Sequence, residues 1–502
     1  MIKNAEQAFL WNGTVLTQIT DPDYPGIFET EVDTLTRTGT TATATTVDPT
    51  NIETGSSVVI AGATETAYNG TYTVTVTGAD TFTYTVAGSP ATPATGTITV
   101  RGGRTTVPGI VFLDGYFFVM DAKAKIYGCE LEAPNDWDAL NFITAQKEPG
   151  AGKAIAKSQN YVIAFKEWST EFFFNAGNAV GSPLSPVDSG FTLVGCASGE
   201  SVATLDETIF WVSQNKQKGR SVHMMVGLEQ QKVSTPDVER VLNLDDLGTV
   251  YAYGVKISGH SFYVLTLKNS NVTLVYDAIS QKWGQWTSLV AGTALDVASL
   301  TYADGKVTVV TDDPHLQTDG NVITISGADN ISYNGDYVIK VVDSTTFTYE
   351  TNELLNSPAT GTITATPYTE TYFKYTKYVN ANGIDVVLHE SDGHMYELSP
   401  EVYKDNLSPV SILIRTGKLD MGTTDLKTCG KAEIIGNKVD SLAYIRFSDD
   451  DFRSFSRYRM VDLSATHPVV RRMGDFERRS FDVKHVGNSA IQLSELELDL
   501  GA

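Results

Sequence analysis

The chain has 502 residues, with 37 lysines and arginines against 60 aspartates and glutamates, for a formal net charge of −23. An acidic balance of that size excludes a surface that grips nucleic acid or anionic membrane without specificity. Threonine, glycine, valine and tyrosine dominate, and neither a long run of helix formers nor an apolar run near 18 residues occurs. An all-β fold with no membrane-spanning helix is expected.

The opening residues, MIKNAEQAFLWNG, lack the apolar centre of a secretion signal. Phe9–Ile19 reads as one core strand with a turn at Asn12-Gly13, and a Pro/Gly-rich turn follows through Pro22 and Pro25. From Thr34 the composition shifts to threonine-rich and lysine-free. This segment, 34–102, has a counterpart at 311–368. GATETAYNGTYTVTVTGADTFTYTV (Gly62–Val86) matches GADNISYNGDYVIKVVDSTTFTYET (Gly327–Thr351), and PATGTIT occurs in both. Tyr68 and Tyr333, Phe82 and Phe347, and Gly96 and Gly361 are each 265 positions apart, so the repeat is ungapped. Two copies of one fold are expected. Tyr72, Val74 and Val76 are predicted to share a face, with threonines opposite, as in half-buried strands of a small sandwich. Tyr-Asn-Gly is expected to make a hairpin turn through positive φ at Asn and Gly.

The sequence on either side of each insert reads as continuous, which makes both inserts loop insertions. The domains expected are 1–33 (first core strands), 34–102 (first insert), 103–310 (core), 311–368 (second insert) and 369–502 (core with a basic C-terminal segment). The core repeats short strand pairs, and Thr208–Ser288 is the clearest. Ile209–Ser213 predicts a strand buried on both faces, Gln214–Gly219 a turn, and Ser221–Val226 its return. Thr235 is placed to cap a short helix, with Pro236 first in it and Asp237 and Glu239 at its positive end. Strands Val250–Val255, Ser261–Leu267 and Asn271–Asp277 follow, closed by Trp283 and Trp286. A run of short antiparallel strands ending in Tyr-Asp…Trp reads as one β-propeller blade, and the non-inserted chain has room for about six to eight.

Cys129, Cys196 and Cys429 are odd in number, far apart and without CxxC; they read as buried reduced thiols of a protein made in a cytoplasm. The seven histidines show no HxH or HExxH spacing, so no metal ligands are assigned. No GxSxG elbow and no glycine-rich phosphate loop occurs, and scattered carboxylates single out no catalytic pair. Neither catalytic residues nor cofactors are assigned. Ser448–Phe455 resembles a degraded Asp box, read as a structural turn beside the alternative of a calcium-type oxygen site. Arginines cluster near the C-terminus, and Arg457, Arg459, Arg471, Arg472, Arg478 and Arg479 are the candidate interface residues, since arginine suits planar pairing with carboxylates between subunits. The plainer reading is a solvated strand face with local pairs to Asp449–Asp451, Asp475 and Glu477.

The order of LTQITDPDYPG (Leu16–Gly26), VFLDGYFF (Val111–Phe118), VGCASGESVATL (Val194–Leu205), KVSTPDVERVL, SGHSFYVLTL, VYDAISQKWGQW and RRMGDFERRSF (Arg471–Phe481) resembles the packaged-DNA stabilisation, or tail hub, proteins of short-tailed bacteriophages. The inserts look similar to the immunoglobulin-like domains found in phage virion proteins. The resemblance implies a β-propeller-like core, a homo-oligomer (a hexameric ring) beneath portal and adaptor ring proteins, and docking of a tail needle and tailspikes or fibres. It implies genomic DNA passing through without specific binding, no membrane in the free virion, and residence in the phage tail after synthesis in the host's cytoplasm. An acidic lumen would let DNA slide without sticking. The rival reading is a receptor- or glycan-binding propeller of sialidase type, which would need clustered arginines with an acid/base carboxylate and a tyrosine at its mouth. A cytoplasmic scaffold propeller is a third.

Overall fold

The structure, a computed structural model, describes residues 1–217 and 219–501. The chain divides into two units: Met1–Ser270 with Leu274–Gly284, and Asn271–Thr273 with the chain from Gln285 onward. Nearly all regular structure is strand, and Pro236–Leu244 is the single α-helix among the described residues.

In the first unit, outside the first repeat, antiparallel meanders follow one another, most strands pairing with their neighbours in sequence. Val111–Leu113, Tyr116–Met120, Lys125–Glu130 and Ala133–Thr144 form one four-stranded sheet. Gly152–Ser158, Tyr161–Lys166, Thr170–Asn175 and Leu184–Thr192 form the next. In the third, Thr208–Asn215 pairs on one side with both Gly195–Cys196 and Ala203–Leu205, and on the other with Gly219–Val226. Ile209, Phe210, Trp211 and Val212 are all buried, as a strand covered on both faces requires. Each such side chain contributes about 1.5–3 kcal/mol by leaving water. The Trp211 indole still finds a partner, the Gly195 carbonyl at 3.1 Å.

The helix forms where its signals lie. The Thr235 hydroxyl accepts from the Val238 N–H, Pro236 stands in the first turn, and Val238 and Leu242 are its buried stripe. It carries the chain from Glu229–Lys232, last in the third sheet, to Val250–Ile257 and His260–Leu267, which begin another. Thr208–Ser288 is therefore not one blade, as expected from sequence; the helix divides it between two sheets.

The two repeats fold alike. In the first copy the strand order is Gly70–Thr73, Ser57–Ala61, Thr99–Gly103, Ile27–Thr38, Thr41–Thr46, Thr81–Thr85, Thr75–Val76. In the second it is Gly335–Val338, Val322–Ala328, Gly361–Tyr372, Leu295–Ala303, Lys306–Thr311, Thr346–Glu350, Lys340–Val341. The long strand Ile27–Thr38 joins two ladders. Its first half pairs with Thr99–Gly103 and its second with Thr41–Thr46, and a register shift lies between Val32 and Thr34. The sheet thereby wraps a core of Leu35, Val58, Ile60, Tyr68, Phe82, Tyr84 and their neighbours. The second copy wraps Leu300, Ile323, Ile325, Tyr333, Phe347 and Tyr349. Gly62 and Gly327 hold φ of +87° and +82°, and a Cβ at either would lie 1.9 Å from a carbonyl oxygen. Only glycine fits there.

Two expectations change. The first two strands of the second copy, Leu295–Ala303 and Lys306–Thr311, lie ahead of the expected boundary at 311; they pair with its later strands and share its core. Tyr-Asn-Gly is not a two-residue hairpin turn. Asn69 has φ −80°, ends a 3₁₀ turn, and exchanges two hydrogen bonds through its amide with the Ala63 backbone. Asn334 does the same with Ala328.

The chain after 369, expected to rejoin the propeller core, is built differently. Tyr375–Ala381, Ile384–His389 and Met395–Glu397 form a small meander. Ser411–Arg415, Ser480–Val486, Leu442–Ser448 and Arg459–Asp462 then form one sheet, and Val469–Phe476, Lys427–Gly436 and Leu493–Gly501 another. Both contribute to one core of Ala443, Ile445, Phe481, Ala432, Val470 and Met473. Most neighbours here are far apart in sequence, such as Ser411–Arg415 with Ser480–Val486 and Lys427–Gly436 with Leu493–Gly501, and the two sheets share one core, so this is a two-layer sandwich and not a sequential blade.

Candidate functional site

The C-terminal sandwich concentrates the arginines, and its strands sort them into different roles. Arg479 starts as an interface candidate and ends as a core group. It makes a two-pronged pair with Asp449 at 2.7 Å and 2.7 Å, donates to the Met473 and Asp475 carbonyls, and lies 3.7 Å from the Phe447 ring centroid. Its side chain is 1% exposed. A guanidinium so enclosed is kept by its partners, and removing Asp449 would leave an uncompensated buried charge.

Arg478 is half exposed and pairs with Asp451, which Lys418 also reaches at 2.9 Å. Arg459 is half-buried and points its Nη1 at the Arg472 carbonyl and the Met473 sulfur. Burial, with Arg457 nearby, lowers its pKa against the pull of Glu350. Arg457, Arg471 and Arg472 are exposed and, among the described residues, have no ion-pair partner. Arg472 has φ 58° at a register shift opposite Gly430, which turns this stretch of strand outward. Thus Arg457, Arg471 and Arg472 are the three candidates free to meet something outside the chain.

The second charged centre joins Arg446, one of the clustered C-terminal arginines, to Asp482 and Arg415, which sequence reasoning passed over. Asp482 is fully buried; Arg415 grips it with two bonds of 2.7 Å and 2.9 Å, and Arg446 adds a third at 3.0 Å. Burial would raise its pKa, but the two arginines outweigh this and keep it low. Arg446 lies 4.0 Å over Phe455 and 4.4 Å over Tyr458, and Arg415 lies 5.0 Å over Phe455. The two ladders that bring Asp482 opposite Arg415 and Arg446 could have been inferred only from a strand pairing with no local signature.

The Asp-box-like turn is a device of the backbone. Asp450 accepts from the Ser454 N–H and hydroxyl and from the Ser448 hydroxyl, and these bonds hold its carboxyl at about 2. Its oxygens are committed to the turn, whose next residues Asp451 and Phe452 have φ of 62° and 69°. That geometry supports the structural reading over an oxygen site for calcium. Beside the sandwich, a cleft of about 220 Å³ is lined by Lys306, Lys340 and Glu350 of the second repeat and by Tyr444, Arg446 and Tyr458. Cys129, Cys196 and Cys429 are buried and unpaired, and burial pushes the Cys196 thiol up to about 12.

Comparison with known proteins bears on the chain ahead of this sandwich. The family model described as "Bacteriophage P22 Gp10, beta-propeller" matches residues 26–318, more than half of the chain. No curated protein matches it. Among solved structures, the computationally designed Ika8 protein aligns at 11% identity and a TM-score of 0.27, over 78% of this chain and 90% of that one. BamB from Moraxella catarrhalis aligns at 9% identity and a TM-score of 0.25, over 73% and 97%. At those scores neither alignment carries an argument about this chain.

Proposed function

We propose a function from one premise: this chain belongs to the bacteriophage P22 Gp10 family, β-propeller structural proteins that stabilise packaged phage DNA. On that premise the chain acts as a tail hub, a homo-oligomeric ring seated under the portal and its adaptor, closing the channel and offering docking sites to a tail needle and to tailspikes or fibres. The two repeats are read as immunoglobulin-like insertions on that hub. The family match carries this reading. The charge is in keeping with it, because a chain of −23 lining a conduit repels phosphates and retains DNA by obstruction, not by grip.

The test is a phage in which this chain is disabled, with DNA inside the heads followed over time. Heads should fill at the normal rate and then empty, because closing the channel comes after packaging. Heads that never fill would assign the chain to packaging, and stable full heads that fail to adsorb would assign it to receptor binding.

A further inference from the structure

The exposed apolar residues of this chain are unevenly spread. In the second unit they crowd into the stretch from Val379 to Ile414: Met395 is 72% exposed, Leu407 84%, Leu413 49% and Ile414 44%. The strand Ser411–Arg415 lies at the end of that stretch. It is the terminal strand of its sheet, paired on one side only, with Ser480–Val486. Successive side chains of a strand point to opposite faces. Since Ile412, Leu413 and Ile414 are all exposed, both faces and the outer edge of this strand are open. An apolar open edge is a template for pairing with another chain, and soluble proteins normally blunt such edges with charge, proline or a bulge. This one ends in Arg415, which Asp482 already holds.

Charge says what covers it. The segment leading into this edge is acidic, and Glu397 and Glu401 are exposed with no cationic partner among the described residues. The opposite flank of the same sandwich is basic. Arg459–Asp462 is the far strand of the same sheet, Val469–Phe476 lies beside it, and Arg457, Arg471 and Arg472 project there unpaired. One chain thus carries an apolar edge preceded in sequence by unpaired glutamates, and an unpaired arginine surface on the other flank of the same sandwich. Two unlike surfaces that complement each other on opposite flanks generate head-to-tail contacts, which close into rings when the rotation allows. Arginine stems also cover apolar surface while their heads reach carboxylates.

We propose that the edge Ser411–Arg415 with Glu397 and Glu401 docks against the Arg457, Arg471 and Arg472 flank of a second copy of this chain. The inference rests on the ring reading above and names the surfaces that make the ring.

The mass of the assembled full-length protein tests it, measured by light scattering with near-ultraviolet circular dichroism as the check on folding. Wild type should assemble. Ile412→Lys with Ile414→Lys should give folded monomer at the same concentration. Arg471→Glu with Arg472→Glu should do likewise, and adding Glu397→Arg and Glu401→Arg to that variant should restore assembly. Wild-type protein that stays monomeric at every concentration would sink the ring reading itself. Wild type that assembles, with either double variant assembling as well, would overturn the assignment of surfaces and leave the ring. If the lysine variant fails to fold, amide exchange in wild type decides: residues 412–414 should be protected at least tenfold more in the assembly than after dilution to monomer, and equal exchange overturns the proposal.

Discussion

The two repeats share a strand order, a core and even the Asn–backbone exchange at their 3₁₀ turns, yet each is fastened to its surroundings by a different part of the module. The first copy is clamped at its base. Glu53 is reached by Arg104 at 2.8 Å, Lys123 at 2.9 Å and Lys125 at 3.2 Å, and the Asn51 amide donates to the Tyr24 and Gly26 carbonyls. In the second copy the position of Glu53 is Thr318 and that of Arg104 is Thr369, so the clamp is absent. The second copy is held by its flank instead. Val322, Val338 and Tyr368 are buried with Tyr444 and Val486 of the sandwich. Their counterparts in the first copy are Ser57, Thr73 and Gly103. Polar ties add to the flank: Glu350 accepts from the Met460 N–H at 3.1 Å, and Asn352 donates to Asp462 at 3.1 Å, where the first copy has Thr85 and Ala87. A duplicated module keeps its fold through its core, and a handful of surface exchanges decides whether it is an appendage or a building block.

Deletion should separate the two most strongly. Gly103 pairs with Ile27, so the ends of the first copy are adjacent, and replacing residues 28–102 by a short glycine linker should leave a soluble chain that melts within a few degrees of wild type. Removing residues 295–368 should instead expose the apolar flank of the sandwich and yield insoluble protein, as a solubility assay would show. Equal outcomes would erase the distinction between appendage and building block.

Point exchanges between copies sharpen it. Giving the second copy the residues of the first, Val322→Ser with Val338→Thr, should cost about 3–5 kcal/mol in denaturant unfolding, since it strips buried methyl groups and brings in hydroxyls without partners. The reverse pair, Ser57→Val with Thr73→Val, lies on an exposed flank and should stay within about 0.5 kcal/mol.

The clamp predicts a pH dependence for the first unit alone. Burial tends to raise the Glu53 pKa, but Lys123, Arg104 and Lys125 outweigh it and hold the carboxyl at about 2. A carboxyl depressed on folding adds stability above its unfolded pKa of about 4.3 and loses it as pH falls through the folded value. Glu53→Gln should therefore cost about 1 kcal/mol at pH 7, a figure kept small because the pair is partly exposed. Urea titrations should show the difference from wild type shrinking between about pH 4.3 and pH 2. A gap that persists at pH 2 would show that packing, not charge, makes the clamp. Equally small should be Thr43→Val with Thr83→Val, paired threonines on the outward face of the first copy, expected within about 0.5 kcal/mol.

Several local signals were legible where neighbours in space are neighbours in sequence, although the Tyr-Asn-Gly turn, also local, was misread. Ile209–Ser213, its return strand, and the Thr235-capped helix all form where their patterns lie, because a meander and a cap are short-range objects. The repeat was legible from Tyr68 and Tyr333 onward. Its beginning was not: TATATT (Thr41–Thr46) and KVTVVT (Lys306–Thr311) keep apolar residues at the core positions, Ala42 matched by Val307 and Ala44 by Val309, but are identical only at Thr43/Thr308 and Thr46/Thr311. The sandwich escaped sequence reasoning because Ser411–Arg415 pairs with Ser480–Val486 across a long stretch of chain. For the same reason the arginine cluster could be counted but not sorted. Nothing local distinguishes Arg479, enclosed by Asp449 and two phenylalanines, from Arg478 beside it in solvent.

The central claim, that this chain holds packaged DNA by closing a channel, is tested most directly by adding the purified full-length protein back. DNA-filled heads from phage lacking this chain, caught before they empty, would be mixed with it and exposed to nuclease. The account predicts that the DNA becomes nuclease-resistant in proportion to the protein bound, and that raising salt does not release it, since obstruction needs no phosphate contacts. Heads that bind the protein and still lose their DNA at the original rate would contradict it.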